Sequence, residues 1–186
     1  MKRTYQKGFT LVELLVVVIV IAVLAGLTTI AYRKASEDAK YANARSEIND
    51  IIQITRLASA NSGGKTLGQI LGYEFFAAAS CLTDSVEAGV PMYDLPKTHS
   101  CWKDYHAMLD KLEKLSKQKI PQDIRDGDPW GSPYWLDANE GETYNGHNPC
   151  TRDLWGSAGP GGIMFRPGFF EIRSPIIALD YCKDPD

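Results

Sequence analysis

Hydrophobic positions change their pattern twice along the chain, from a continuous run to helical spacing to short strands. From Phe9 to Ala31, fifteen of 23 residues are Phe, Leu, Ile or Val, and the run contains one charge, Glu13. At about 1.5 Å rise per residue, a helix there spans about 35 Å, enough to cross a bilayer. From Tyr32 to Ala60 there is neither Pro nor Gly, and Ile48, Ile51, Ile52, Thr55 and Ala58 recur at helical spacing as a single apolar stripe. Asn61-Ser62-Gly63-Gly64 supplies the stop. A helix of about fifty residues suits a spine whose first half lies in a membrane or filament core and whose second half packs on a sheet.

Between Lys65 and Lys119 the spacing predicts two short helices. One covers Thr66 to Phe76. The other, Trp102 to Lys117, sets Trp102, Tyr105, Leu109, Leu112 and Leu115 on one side and turns Lys103, Asp110, Lys111, Lys114 and Lys117 to water. The last third reads as short strands: Pro133 to Asp137, Arg152 to Ser157, Phe169 to Arg173 and Pro175 to Tyr181, rich in aromatic or branched residues and separated by turn-formers. A small antiparallel sheet follows, its apolar face covering the Ile48 to Ala58 stripe. The expected fold class is α+β, a long N-terminal α-helix packed on that sheet.

Composition narrows the function. The 186 residues hold one modest domain plus an anchor, and a formal charge of −3 with a pI near 5.6 offers no general attraction to nucleic acid. Cys81, Cys101, Cys150 and Cys182 follow the apolar run at spacings that match neither zinc nor redox motifs, so disulfides in an oxidising compartment fit them. Cys81 and Cys101 flank a loop holding Gly89-Val90-Pro91 and Leu95-Pro96, and joining them stabilises it by roughly 3 kcal/mol. Cys150 and Cys182 then tie a mid-region loop to the C-terminal strand, one of three possible pairings. No enzyme is expected: Ser157 lacks the GxSxG spacing, and His99, His106 and His147 lack that of HExxH. There is no glycine-rich phosphate loop either, so the energy for any assembly comes from another protein.

Glu13 is the misfit. The fifteen apolar residues contribute at most about 5 to 9 kcal/mol to insertion against about 3 for one acid, so the carboxylate permits spanning but needs a partner. No Lys or Arg lies between Phe9 and Tyr32. Cutting after Gly8 creates a cation, the α-amino group of Phe9, which can pair with Glu13 of a neighbouring subunit. Such a pair is worth about 4 kcal/mol at about 4 Å and an effective dielectric near 20, close to the cost of leaving the acid alone.

The basic leader MKRTYQKG, Phe9, TLVEL and the long apolar run resemble the type III signal of type IV pilins and pseudopilins. That resemblance implies a leader at 1–8, a transmembrane and assembly helix at 9–31 and a periplasmic head at 32–186. It further implies cleavage between Gly8 and Phe9 by a prepilin peptidase, methylation of the new amine, and Glu13 as the assembly glutamate. Loss of Lys2, Arg3 and Lys7 takes the formal charge from −3 to −6. The proline that interrupts this helix in many relatives is replaced by Ile30. An ordinary signal peptide cut near Val23-Leu24-Ala25 is the competing reading.

Two head motifs, preceded by Ile120-Pro121, sharpen the likeness. Ile120-Pro121, Asp128-Pro129-Trp130-Gly131 with Tyr134, and Asp153-Leu154-Trp155-Gly156-Ser157-Ala158-Gly159 resemble elements of the major pseudopilin of type II secretion. Read physically, Asp128 to Gly131 is a tight turn in which Trp130 plugs the sheet against the helix. The resemblance implies self-assembly into a filament, an inner-membrane assembly platform and minor pseudopilins as partners, and a single-pass inner-membrane protein. An adhesive or priming minor pilin is the alternative role. No cofactor is expected. The calcium loop of major pseudopilins has Gly161 in place of its aspartate here, and Asp137 to Glu142 departs from an EF-hand loop and reads as a hairpin turn, so no metal ligands are assigned and calcium stays the alternative.

Overall fold

A computed structural model describes residues 8–65, 67–72, 76–77, 81, 89–137, 154–163 and 172. They form an α+β fold with the elements α1 (Leu11–Asn61), α2 (Leu67–Leu71), β1 (Phe76–Ala77), α3 (Ser100–Ser116), α4 (Gln122–Asp126), β2 (Trp135–Asp137) and β3 (Leu154–Gly156). Two compact units divide the chain, Met1–Ala39 and Lys40–Asp186, and the second is called the head below.

The helix α1 runs without a break through the position of Ile30. It stops where glycines accept the left-handed backbone, Gly63 at φ +79° and Gly64 at φ +76°, and the Gly64 N–H closes on the Ser59 carbonyl at 2.9 Å. Within the head the predicted stripe is the core: Ala44, Ile48, Ile51, Ile52 and Ala58 are buried with Trp102, Leu109, Leu136 and Trp155. Thr55 sits in the stripe because its hydroxyl accepts the Trp155 indole N–H at 3.2 Å. Asn61 donates to the Leu115 carbonyl at 2.9 Å, tying the end of α1 to the end of α3.

The sheet differs from expectation in its membership. Its order is β1-β2-β3, all antiparallel, with Trp135 opposite Gly156, Leu136 opposite Trp155 and Asp137 opposite Leu154. The third strand comes from the 65–119 region, where Phe76 pairs with Asp137 and Ala77 with Leu136. The helix expected over Thr66 to Phe76 is therefore too long. Among the described residues it covers Leu67–Leu71 and ends where Gly72 turns left-handed at φ +79°, and Phe76 belongs to β1. The runs Phe169 to Arg173 and Pro175 to Tyr181 lie outside the described residues except for Ile172, which is buried and whose carbonyl accepts from Ser157 N at 2.9 Å.

Both faces of β2 are covered, not one. Tyr134 and Leu136 join the α1 core, while Trp135, alternating to the other side, packs with Cys81, Cys101, Met92 and Ala158 in a second small core. Cys81 and Cys101 are joined by a disulfide across a Cα separation of 4.7 Å; Cys150 and Cys182 lie outside the described residues. The 65–119 region thus helps to build the core. Its helix α3 buries Trp102, Tyr105, Met108, Leu109 and Leu112 and ends at Lys117 in the left-handed conformation, φ 57°. Of the lysines expected to face water, Lys111 also donates to the Leu71 carbonyl, capping α2.

Candidate functional site

The N-terminal site begins at Gly8, whose surroundings are open, and Phe9, 83% exposed. Thr10 precedes the first helical residue, Leu11. Glu13 Oε2 accepts from the Thr10 N–H at 2.8 Å and from its hydroxyl at 2.7 Å, and the Thr10 hydroxyl oxygen accepts from the Glu13 N–H at 3.3 Å. This is a reciprocal capping box, which satisfies helix-terminal donors that no preceding turn can serve. The apolar run offers Glu13 no Lys or Arg; Thr10 provides hydrogen bonds, though no cation. The pattern Thr-x-x-Glu ahead of an apolar run was legible in the sequence, and Thr10 is the residue that reasoning from charge alone passes over.

Beyond the cap, every large apolar side chain from Leu11 to Leu27 is exposed. A helix apolar on all sides belongs inside a membrane or a protein core. By length and composition α1 is long and apolar enough to cross a membrane. The two hydroxyls at the end of its apolar run are satisfied within the helix: Thr28 donates to Leu24 O at 3.0 Å and Thr29 to Ala25 O at 2.8 Å. Glu13 is the one charge in this stretch.

In the head, the two motifs singled out in sequence form one structure. The Asp128 carboxylate is 4% exposed; Oδ1 accepts from Trp130 N at 3.1 Å and Ser132 N at 2.9 Å, and Oδ2 accepts from the Ser157 hydroxyl. Ser157 Oγ in turn accepts from Gly159 N at 2.9 Å. The turn between closes through Gly131 N to Asp128 O, 2.8 Å, and Asp128 N to Ser132 O, 2.7 Å. Gly131 takes φ +92°, and Pro129 presets its own φ at the preceding corner. Burial raises the Asp128 carboxyl to about 6, against the lowering effect of Ser157 and the turn amides. Ser157 is thus a buried structural hydroxyl.

Tyr134, three residues past Gly131, donates its hydroxyl to Glu47 on α1, which also accepts from Asn43 Nδ2 at 2.8 Å. Burial lifts the Glu47 carboxyl above its ordinary value, with Tyr134 and Asn43 opposing. Glu47 was not anticipated, although it stands three positions after Ala44 and one before Ile48, on the core face. Trp130 is half-buried: it packs edge-to-face on Tyr41 of α1, ring centroids 5.0 Å apart, and lies against the core that α1 shares with the sheet.

Three further polar residues of the head, His99, His106 and Arg125, have structural partners. His99 caps α3, its ring Nδ1 accepting from Cys101 N at 3.2 Å, and His106 Nε2 lies 2.9 Å from the Arg125 carbonyl. Arg125 bridges Asp110 at 2.8 Å and Glu113 at 2.9 Å, holding α4 on α3. Leu154 opens β3 and Gly159 opens a 3₁₀ turn, Gly159–Gly161; Asp153, His147 and the loop following Asp137 lie outside the described residues.

Residues 3–29 match the prokaryotic N-terminal methylation motif, the type IV pilin-like signal carried by prepilin peptidase substrates. No curated protein and no solved structure matches the chain.

Proposed function

We infer that the chain is a structural subunit of a type II secretion pseudopilus or a type IV pilus-like filament, cut between Gly8 and Phe9 and polymerising through α1. The observation that carries this reading is the methylation motif over residues 3–29, combined with an exposed, all-round apolar stretch of α1 from Leu11 to Leu27 whose one charge is Glu13. Membrane storage of the subunit and burial in a filament core satisfy the same surface. In the free subunit Thr10 holds Glu13; in the filament the Phe9 amine of a neighbour replaces those hydrogen bonds with a charge pair. The likeness of the Asp128 and Ser157 motifs to those of the major pseudopilin favours the secretion filament. An inner-membrane platform, minor pseudopilins and a head in the periplasm or on an external fibre go with it.

Two outcomes test it. The native protein is expected to lack eight residues by intact mass, and Gly8→Leu to retain them, since the peptidase must admit the backbone at a residue without a side chain; normal processing of Gly8→Leu would count against the site. Glu13→Ala is expected to be cut normally and yet give few or no sheared fibres, and fibres in wild-type amounts would remove the charge-pair role.

A further inference from the structure

Within residues 9–39 the charged side chains are Glu13, Arg33, Lys34, Glu37 and Asp38. All are exposed on α1. Lys34 and Asp38 take part in no ion pair among the described residues. A lysine followed four positions later by an acid is the less favourable order for pairing along one helix, because both charges oppose the helix dipole.

Four positions also separate Phe9 from Glu13. On the filament reading, on which this inference rests, the Phe9 amine of one copy meets Glu13 of the next. That fixes the axial step between neighbouring α1 helices at four residues, about 6 Å of rise. The same step brings Lys34 of the first copy level with Asp38 of the second. It also sets Arg33 against Glu37, although Glu37 already has an interaction inside its own chain. Asp38 lies 25 positions beyond Glu13. That is about 6.9 turns at 3.6 residues per turn, so the two acids share one helix face to within about 20°. No like charges meet at this step between residues 9 and 39.

We propose that Lys34 of one subunit pairs with Asp38 of a second copy of this chain, a further intersubunit contact on the helix face that carries Glu13. Just past the apolar run, where charges keep much of their hydration, the pair adds modest affinity but selects register. An unstaggered neighbour would set Lys34 against Lys34 and Asp38 against Asp38, which the arrangement penalises.

The test uses the full-length chain in cells that assemble the wild-type fibre. Lys34→Asp places acids at both positions and Asp38→Lys places lysines at both. Each alone is expected to lower sheared fibre yield about threefold to tenfold, the effect of turning an exposed attraction into repulsion. Expressed together, the two variants are expected to recover near wild-type yield by alternating, since each then meets the opposite charge on its neighbour. A pair internal to one helix gains nothing from mixing, so a mixture as poor as the single variants overturns the proposal. Wild-type yields from both single variants also overturn it while leaving the filament reading intact. Wild-type fibres that persist in Glu13→Ala overturn the register set by Phe9 and Glu13, and this pair with it.

Discussion

Replacing Asp128 by Ala is expected to destabilise the head by about 3–5 kcal/mol, because it strands the Trp130 and Ser132 amides and the Ser157 hydroxyl together. In a protein of this size that corresponds to a fall in Tm of about 6–20 °C, read by calorimetry on the full chain in detergent. A fall under 2 °C would show that the turn holds its shape without the carboxylate. Asp128→Asn separates charge from shape. The folded carboxyl titrates near 6 and the unfolded one near 3.8, so the folded state binds the proton more tightly. Stability from this group is therefore greatest below pH 3.8 and declines as pH rises through 6, by about 3 kcal/mol in all. Asparagine does not titrate. Its cost relative to wild type is expected to be larger at pH 4 than at pH 7, and a difference independent of pH would refute the buried titration.

The same residues show why part of the design was readable and part was not. Asp128 and Ser157 each stood in a recognisable run of turn-formers, yet their contact spans 29 positions and leaves no periodic trace. Periodicity did reveal α3 and the head half of α1, because each repeats its apolar face over enough residues to register, and aromatic or branched composition between turn-formers revealed β2 and β3. It failed at β1, a strand of two residues, which has no alternation to detect and exists because the edge of β2 supplies its hydrogen bonds. The helix expected through Phe76 failed for a related reason: local spacing favoured continuation, and Gly72 with the sheet edge overrode it. One apolar face was expected for the sheet. Trp135 was instead drawn to the opposite side by the core around the disulfide, which no local pattern announces. Glu13 was legible as a misfit and its Thr10 cap as a motif, but only the geometry joins the two.

Gly156→Ala is expected to cost about 3 kcal/mol, the upper end of overpacking penalties, although it adds a single methyl group. The register sets Gly156 directly opposite Trp135 with both side-chain positions on one face, and the indole lies across the glycine. A Cβ built there stands 2.1 Å from Trp135 Cζ2 and 2.4 Å from Cε2, far inside contact distance. The ring cannot swing away cheaply: Trp135 is 1% exposed and packed against Cys81, Cys101 and Met92. Either the indole leaves its pocket or β3 separates from β2, and the latter would also disturb Ser157, the next residue, at its bond to Asp128. Gly161→Ala is the control, since nothing lies within 4 Å of its added carbon, and it should change stability by less than about 0.5 kcal/mol. Trp135→Phe makes room at the same spot. Combined with Gly156→Ala it should cost less than the sum of the two single changes, by about 1 kcal/mol or more, because the methyl then occupies space the larger ring held. Strict additivity in urea unfolding would mean that the clash between residues 135 and 156 does not govern the loss.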